Sequence, residues 1–256
     1  MITEEILSSK IYDLAQPFTD DMPILTPKNP RYFYGLFRQH GNSGSELSFS
    51  SGLIHLSDHL GSHIDALCHV SYKGKLFDNT DLGPNVETAF GYSKLGAEAI
   101  PPLVRRGILL DIASHKKVDI LPKGYEISVD DMNGFCRDNN LAIPKDGVVL
   151  VRVGNGKYWA EPKLYPECAG VAEESNFWLS KAGISAVGID NIAWDLLEGG
   201  FPGHRHLIVE KGIYIMENLY LEELSRDRCY SFLFVGIPLK IKGATGSPIR
   251  PIALRM

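Results

Sequence analysis

Between positions 59 and 69 the chain reads His59-Leu-Gly61-Ser62-His63-Ile-Asp65-Ala-Leu67-Cys68-His69, which places three of the eight histidines beside a carboxylate. On a helix, His59 and His63 would share a face while Asp65 pointed away from it. On a strand, His63 and Asp65 would share a face, but His59 would lie roughly 20 Å from Asp65 at about 3.3 Å per residue. Neither regular form lets all three side chains meet one ion at about 2.0–2.2 Å. Gly61 offers the way out, because a residue without Cβ lets the chain curl between the two histidines. The stretch therefore reads as a turn and a short extended piece, gathering two imidazoles and a carboxylate around a metal. Such nitrogen and oxygen donors suit Zn²⁺ or Mn²⁺ without choosing between them. The competing reading is a set of histidines hydrogen-bonded within a loop.

A second polar cluster lies far downstream, from His204-Arg205-His206 through Gly212 to Glu217-Asn218-Leu219. Its two histidines precede a short apolar helix or turn that Gly212 ends, and Ile213–Met216 reads as a strand. Glu217 falls at the end of that strand, where functional groups of α/β sheets gather. A histidine and a glutamate are what the first cluster needs to complete a shell or hold a second ion. The plainer alternative is a solvated His-Arg-His loop and a surface glutamate. Gly154-Asn155-Gly156 reads as a tight turn, since Lys157 lacks the Walker spacing of a phosphate loop. Cys68 reads as a small buried residue, and Ser247 as part of a turn.

Elements that position these residues are visible on either side. Ile11–Leu14 is short and mostly apolar, and Pro17, Pro23, Pro27 and Pro30 then break any long element. Tyr32–Phe37 and Glu46–Leu56 predict strands or hairpin arms that deliver the chain to His59. Positions 72–102 read mostly as loop, with a short helix near Val86–Ala89, and a stretch that long suits a site wall better than a linker. Gly107–Ile112 is a buried strand. Ser128 and Asp131 form a capping box with Asp in place of Glu, predicting a helix over Val129–Asp138. Pro144–Gly147 is a turn before the strand Val148–Val153. Glu173–Lys181 is a helix stopped by Ala182-Gly183, and Ser185–Ile189 is a further buried strand. This order of elements is that of a mixed α/β protein in a single domain.

The chain has 256 residues, 44% of them hydrophobic, enough for a sizeable core. A net charge of -5 and the lack of any basic run argue against a nucleic-acid surface. No apolar run approaches the length of a membrane span, and the N-terminus MITEEIL lacks the apolar core of a signal peptide. Cys68, Cys136, Cys168 and Cys229 are widely spaced, which argues against a disulfide framework. These features predict a cytoplasmic protein with no nucleic-acid or membrane partner.

The 59–69 stretch resembles the signature H-x-G-T-H-x-D-x-P-x-H of the metal-dependent cyclase-type hydrolases, which include bacterial kynurenine formamidase and isatin hydrolase. Ser62 stands where that family has threonine, and Leu67 where it usually has proline. Tyr12-Asp13-Leu14 with Met22-Pro23, Gly188-Ile-Asp190, Gly212-Ile-Tyr-Ile-Met-Glu217-Asn218-Leu219 and Ala244-Thr-Gly246-Ser-Pro248-Ile-Arg250 resemble further family segments, in order along nearly the whole chain.

The resemblance implies a swivelling β/β/α-type fold around a barrel-like mixed sheet, assembled as a homodimer or homotetramer. It makes His59, His63 and Asp65 metal ligands, Glu217 a downstream ligand, Ser62 a support for the loop and His69 the general acid/base. The family's H-x-x-L-L pattern selects His204 as the downstream histidine. Counting back from Glu217 lands instead on Arg205, between His204 and His206. One or two ions are implied. The implied reaction is attack of metal-bound hydroxide on an amide, formamide, lactam or lactone of a small substrate, with His69 passing a proton to the leaving group. Arg205 could bind a substrate carboxylate. Phe37, Phe77, Tyr158, Trp159 and Trp194 could line a pocket for a planar substrate, or serve as core. A lyase or cyclising reaction at the same site, and a purely structural ion, are the alternatives.

Overall fold

In the computed structural model, which describes residues 8–25, 30–42, 44, 46–165 and 169–255, the apolar runs Gly107–Ile112 and Val148–Val153 lie side by side in the middle of a large sheet. Residues 1–7, Pro27 and Cys168 lie outside the described residues. The sheet strands are β1 (Ile11–Asp13), β2 (His63–Asp65), β3 (Leu103–Asp111), β4 (Val148–Arg152), β5 (Ala186–Ile189), β6 (Tyr214–Glu217), β7 (Ser231–Gly236), β8 (Gly246–Pro248) and β9 (Ile252–Arg255). Their spatial order is β1-β9-β7-β3-β4-β5-β6-β2-β8, a mixed sheet curled into a half-barrel. The four strands β3 to β6 run parallel, and antiparallel strands flank them on both sides.

Both faces of the centre are covered, which is why its strands read as continuous apolar runs rather than alternating ones. Ile108, Leu110, Val149, Val151 and Val187 pack on one side against Met132, Phe135 and Leu179. Leu109, Val148, Leu150 and Ala186 face the other way, towards Tyr12, Phe232 and Phe234. Helices α1 (Val129–Asp138) and α2 (Glu173–Lys181) contribute to the first layer. The capping box of α1 is present in both directions: Asp131 N donates to Ser128 Oγ at 3.2 Å, and Ser128 N to Asp131 Oδ2 at 3.1 Å.

The strands Phe33–Arg38 and Ser51–His55 pair antiparallel as a separate two-stranded hairpin leading towards His59. Its surface is largely apolar and exposed, with Phe33, Tyr34, Leu36, Phe37, Leu53 and Ile54 all open to solvent. The expected helix near Val86–Ala89 is absent. Glu87–Thr88 and Gly91–Tyr92 form a small hairpin there, closed by the Thr88 hydroxyl donating to Gly91 O and turned at Gly91, whose φ of 114° suits only glycine.

Candidate metal centre

Two pieces of backbone geometry build the front half of the site. Gly61 takes φ +62°, and a Cβ there would lie 2.5 Å from the Phe18 ring, so glycine is favoured on both counts. The chain then straightens into β2. At the far end His69 N donates to Ala66 O at 2.9 Å, closing a turn over Ala66-Leu67-Cys68 that brings His69 back over its neighbours. The His69 and His59 rings overlap with centroids 3.9 Å apart. Ser62 holds the loop from behind, donating to Asn218 O at 2.6 Å and accepting from Gln16 N at 2.8 Å.

Sheet register builds the rear half. Antiparallel pairing of β6 with β2 sets Glu217 opposite His63, and pairing of β2 with β8 sets Asp65 opposite Gly246. His204 arrives from a turn, Pro202–His204, that runs into a π-helical segment over Arg205–Glu210. A π turn accommodates one residue more than an α turn and occurs often at functional sites. That accounts for the disagreement between counting forward from the histidine and back from Glu217. His204 faces the cluster; His206 turns away, between Ser180 Oγ at 2.8 Å and Glu210 Oε2 at 2.7 Å.

His59, His63, Asp65, His69, His204 and Glu217 are thereby brought together. Asp65 Oδ1 lies 2.9 Å from His59 Nδ1 and 3.6 Å from His63 Nε2, while Oδ2 lies 3.6 Å from His204 Nε2. Glu217 reaches His63 Nε2 at 3.5 Å with one oxygen and His204 Nε2 at 3.4 Å with the other. Two triplets of donors, His59/Asp65/His69 and Asp65/His204/Glu217, each fall within 4.8 Å and share Asp65. Each of three imidazoles has one nitrogen tied to the protein and the other turned inward. His63 Nδ1 sits 2.9 Å from Gly61 O, His204 Nδ1 2.6 Å from Asp195 Oδ2, and His59 Nε2 2.8 Å from Thr245 Oγ1.

The electrostatics call for a cation. Asp65 is 1% exposed, and neither of its oxygens accepts a hydrogen bond from a described group, although His59 Nδ1 approaches Oδ1 to 2.9 Å as an ion pair. An unsatisfied buried carboxylate is costly unless positive charge is supplied. Burial works to raise the pKa of Asp65, but the imidazoles of His69, His59 and His63 hold it well below the usual carboxylate range. Burial likewise works to lower that of His204, and Asp195, Glu217 and Asp65 override it, raising it well above that of a free histidine. The donor set (imidazole nitrogen and carboxylate oxygen, mostly buried) fits a divalent metal. His69 differs in being exposed to the adjoining cavity. Crowding by protein around its ring, then the neighbouring imidazoles, push its pKa down against the pull of Asp65, so it is neutral at pH 7.

The cavity in front of the cluster holds about 430 Å³ and is walled by Ile24, Leu25, Ile192, Ala193 and Phe201. None of the five aromatics expected as wall candidates lines it: Trp159 and Trp194 are buried core, and Phe37 is exposed on the hairpin. Phe201 was not marked by the sequence. It holds a left-handed conformation (φ 58°) that sets its ring edge-on to His204. Arg205 does not face the cavity but pairs with Glu173 at 2.8 Å and lies over the Tyr72 ring. Cys68 is buried, and burial pushes its thiol up to about 12. Three other groups brace the site, of which Asp195 had no sequence signal, while Asp190 was marked only as part of a family-like segment and Trp194 only as a wall or core aromatic. Asp195 accepts from Gly203 N, His204 N and His204 Nδ1; Trp194 N donates to Glu217 Oε1 at 2.7 Å; and the Asp190 carboxylate accepts from Val153 N and Gly154 N, bracing the Gly154 turn.

Residues 12–196, which carry the Gly61 turn and the first donors, match the family described as putative cyclase. The chain belongs to that family. A kynurenine formamidase of Bacillus cytotoxicus is 24% identical over 246 residues, covering 96% of this cyclase-family chain and 97% of that protein. An uncharacterized protein of Methanocaldococcus jannaschii is 36% identical over 132 residues, 52% of this chain and 63% of that protein. Among solved structures, a novel cyclase superposes with a TM-score of 0.89 at 26% identity, over 98% of this chain and 88% of that one. Isatin hydrolase A of Labrenzia aggregata shares the fold, with a TM-score of 0.73 at 22% identity over 96% and 93% of the two chains. Among the described residues of this family member, no helix is long and apolar enough to cross a membrane.

Proposed function

We propose that this protein is a metal-dependent hydrolase that opens a carbon–nitrogen bond (amide, formamide or lactam) or a lactone in a small substrate. The observation that carries the reading is the convergence of inward-facing imidazoles and Glu217 on Asp65, a buried carboxylate to which nothing described donates a hydrogen bond. The kynurenine formamidase relative, aligned along almost the whole chain, supports the reaction class. His59, His63, Asp65, His204 and Glu217 would hold one or two ions of zinc or manganese, with Asp65 turning one oxygen to each side of the cluster. When bound, the metal polarises a carbonyl oxygen and lowers the pKa of water from about 15.7 towards ~7.

The chain's own groups do the rest. His69, neutral and exposed to the cavity, takes the proton of the attacking water on its ring nitrogen and returns it to the leaving nitrogen or oxygen, worth typically ~10²–10⁴-fold in rate. Ile24, Leu25, Ile192, Ala193 and Phe201 bind the apolar body of the substrate and limit water around the reacting carbonyl. Asp195 and the Trp194 amide fix His204 and Glu217 so that neither swings into the cavity. The assembly is a homodimer or homotetramer, a reading supported by the exposed apolar hairpin Phe33–Arg38/Ser51–His55, since a surface of that character is costly in a monomer. The protein acts in the cytoplasm.

The test is turnover by zinc- or manganese-loaded protein on aryl formamides, lactams and lactones, N-formylkynurenine and isatin included. Hydrolysis of at least one class, abolished by chelation and restored by metal, is expected. Stoichiometric metal with no hydrolysis of any class would point to a structural ion.

A further inference from the structure

One pair of residues beside the cluster belongs to none of the expected ligand positions. Asp58 precedes His59, and Thr245 leads into β8 on the far side of β2. The strand pairing that sets Gly246 opposite Asp65, together with Ala66 N donating to Thr245 O at 2.9 Å, carries Thr245 to the edge of the His59 ring. There Asp58 Oδ2 accepts from Thr245 N at 3.0 Å, from Gly246 N at 3.2 Å and from the Thr245 hydroxyl at 2.7 Å. The same hydroxyl lies 2.8 Å from His59 Nε2. A Cβ at Gly246 would lie 2.8 Å from His59 Cε1, so the ring is also seated closely against the backbone of β8.

A hydroxyl has one proton to give. An ionised carboxylate only accepts, so the Thr245 proton is committed to Asp58. The Thr245 oxygen then has only lone pairs to offer His59, and Nε2 must be the nitrogen that carries hydrogen. In a neutral imidazole this leaves the lone pair on Nδ1, the nitrogen that faces Asp65. His63 and His204 reach the same state the other way round, with Nδ1 tied to an acceptor and Nε2 inward. For His59 the nitrogen tied to the protein is Nε2, and its partner is the Thr245 hydroxyl.

We propose that Thr245, oriented by Asp58, is a positioning residue that selects the Nε2–H tautomer of His59 and so makes Nδ1 the metal-binding atom. The proposal rests on the reading of His59 as a ligand. Its role is to set ligand orientation, not to touch substrate. Removal of an outer partner of a metal-bound histidine typically costs ~10–100-fold in metal affinity.

The experiment is zinc affinity by chelator competition for wild type, Thr245→Val, Thr245→Ser and His59→Ala, with ¹⁵N spectra of the imidazoles in the zinc-loaded wild type. Valine keeps the shape of threonine and removes the hydroxyl; serine keeps the hydroxyl. We expect Thr245→Val to weaken zinc binding about 10–100-fold, Thr245→Ser to stay within a few-fold of wild type, and the His59 ring to show hydrogen on Nε2. Wild-type affinity in Thr245→Val, alongside zinc loss in His59→Ala, would overturn the proposal and leave His59 a ligand. Undiminished zinc in His59→Ala would overturn both. If Thr245→Val does not fold, the wild-type spectrum decides: hydrogen on Nε2 supports the relay, and hydrogen on Nδ1 refutes it.

Discussion

Replacing Asp195 with asparagine tests how firmly the rear half of the site is held. Asp195 is fully buried and spends both oxygens: Oδ1 accepts from Gly203 N at 2.7 Å, and Oδ2 from His204 N at 2.9 Å and His204 Nδ1 at 2.6 Å. An amide has one oxygen, so one side must face a donor with a donor. The cheaper orientation keeps the oxygen on His204 and turns NH₂ against Gly203 N–H. That leaves a buried amide without an acceptor, at about 1–3 kcal/mol. The remaining bond to His204 Nδ1 loses its charge assistance, roughly another 1 kcal/mol. The Gly203 backbone sits so close that a Cβ there would lie 2.7 Å from Asp195 Oδ1. The sum is a destabilisation of about 2–4 kcal/mol, read from urea denaturation of the metal-free protein. Metal affinity should fall ~10–100-fold with it, because His204 loses the partner that fixes its ring. A loss below about 0.5 kcal/mol with unchanged metal affinity would refute the reasoning.

Other outcomes follow from the same geometry. His69→Ala should keep its fold and metal while turnover on whichever substrate is hydrolysed falls by about two orders of magnitude or more; loss of metal would make His69 a ligand. Asp131 offers a pH test. Burial works to raise its pKa, but Lys116, the Ser128 amide and the Tyr125 hydroxyl lower it overall. Its contribution to stability is therefore complete above the unfolded carboxylate pKa of about 4 and is lost as pH falls through the lower folded value. The stability gap between wild type and Asp131→Asn should narrow between about pH 5 and pH 2, and a gap that widened there would invert the sign. Light scattering should give a dimer or tetramer, with Phe37→Ser and Leu53→Ser together shifting it towards monomer; a monomeric wild type would remove the assigned role of the hairpin.

What could be read from the sequence was whatever local chemistry determines. Gly61 had to turn because no regular form joins His59, His63 and Asp65, and the structure puts that turn at φ +62°. Ser128 and Asp131 announced α1 because a capping box is decided by four consecutive residues. Buried strands were legible as near-continuous apolar runs, interrupted in Gly107–Ile112 and Val148–Val153 only by Asp111 and Arg152. The parts that were hidden depend on distant segments meeting. Nothing around Asp195 distinguishes it from a surface aspartate until Pro202–His204 folds over it. The choice between His204 and His206 was concealed by the π-helical turn after His204, whose extra residue defeats counting along the chain. Val86–Ala89 lacked a strong pattern of either kind, and contacts of Tyr92 N and Ser93 N with Gly243 O and Val86 O settled it as a hairpin. Phe201 was missed for the same reason: a left-handed phenylalanine is held there by its surroundings, not by its own preference.

Crystals grown with manganese or zinc and measured at the metal's absorption edge would locate the ion itself. One or two anomalous peaks are expected at the Asp65 carboxylate, within about 2.0–2.2 Å of its oxygens, with His204 and Glu217 on one side and His59 and His63 on the other. A fully loaded protein whose only peaks lay away from Asp65 would contradict that placement.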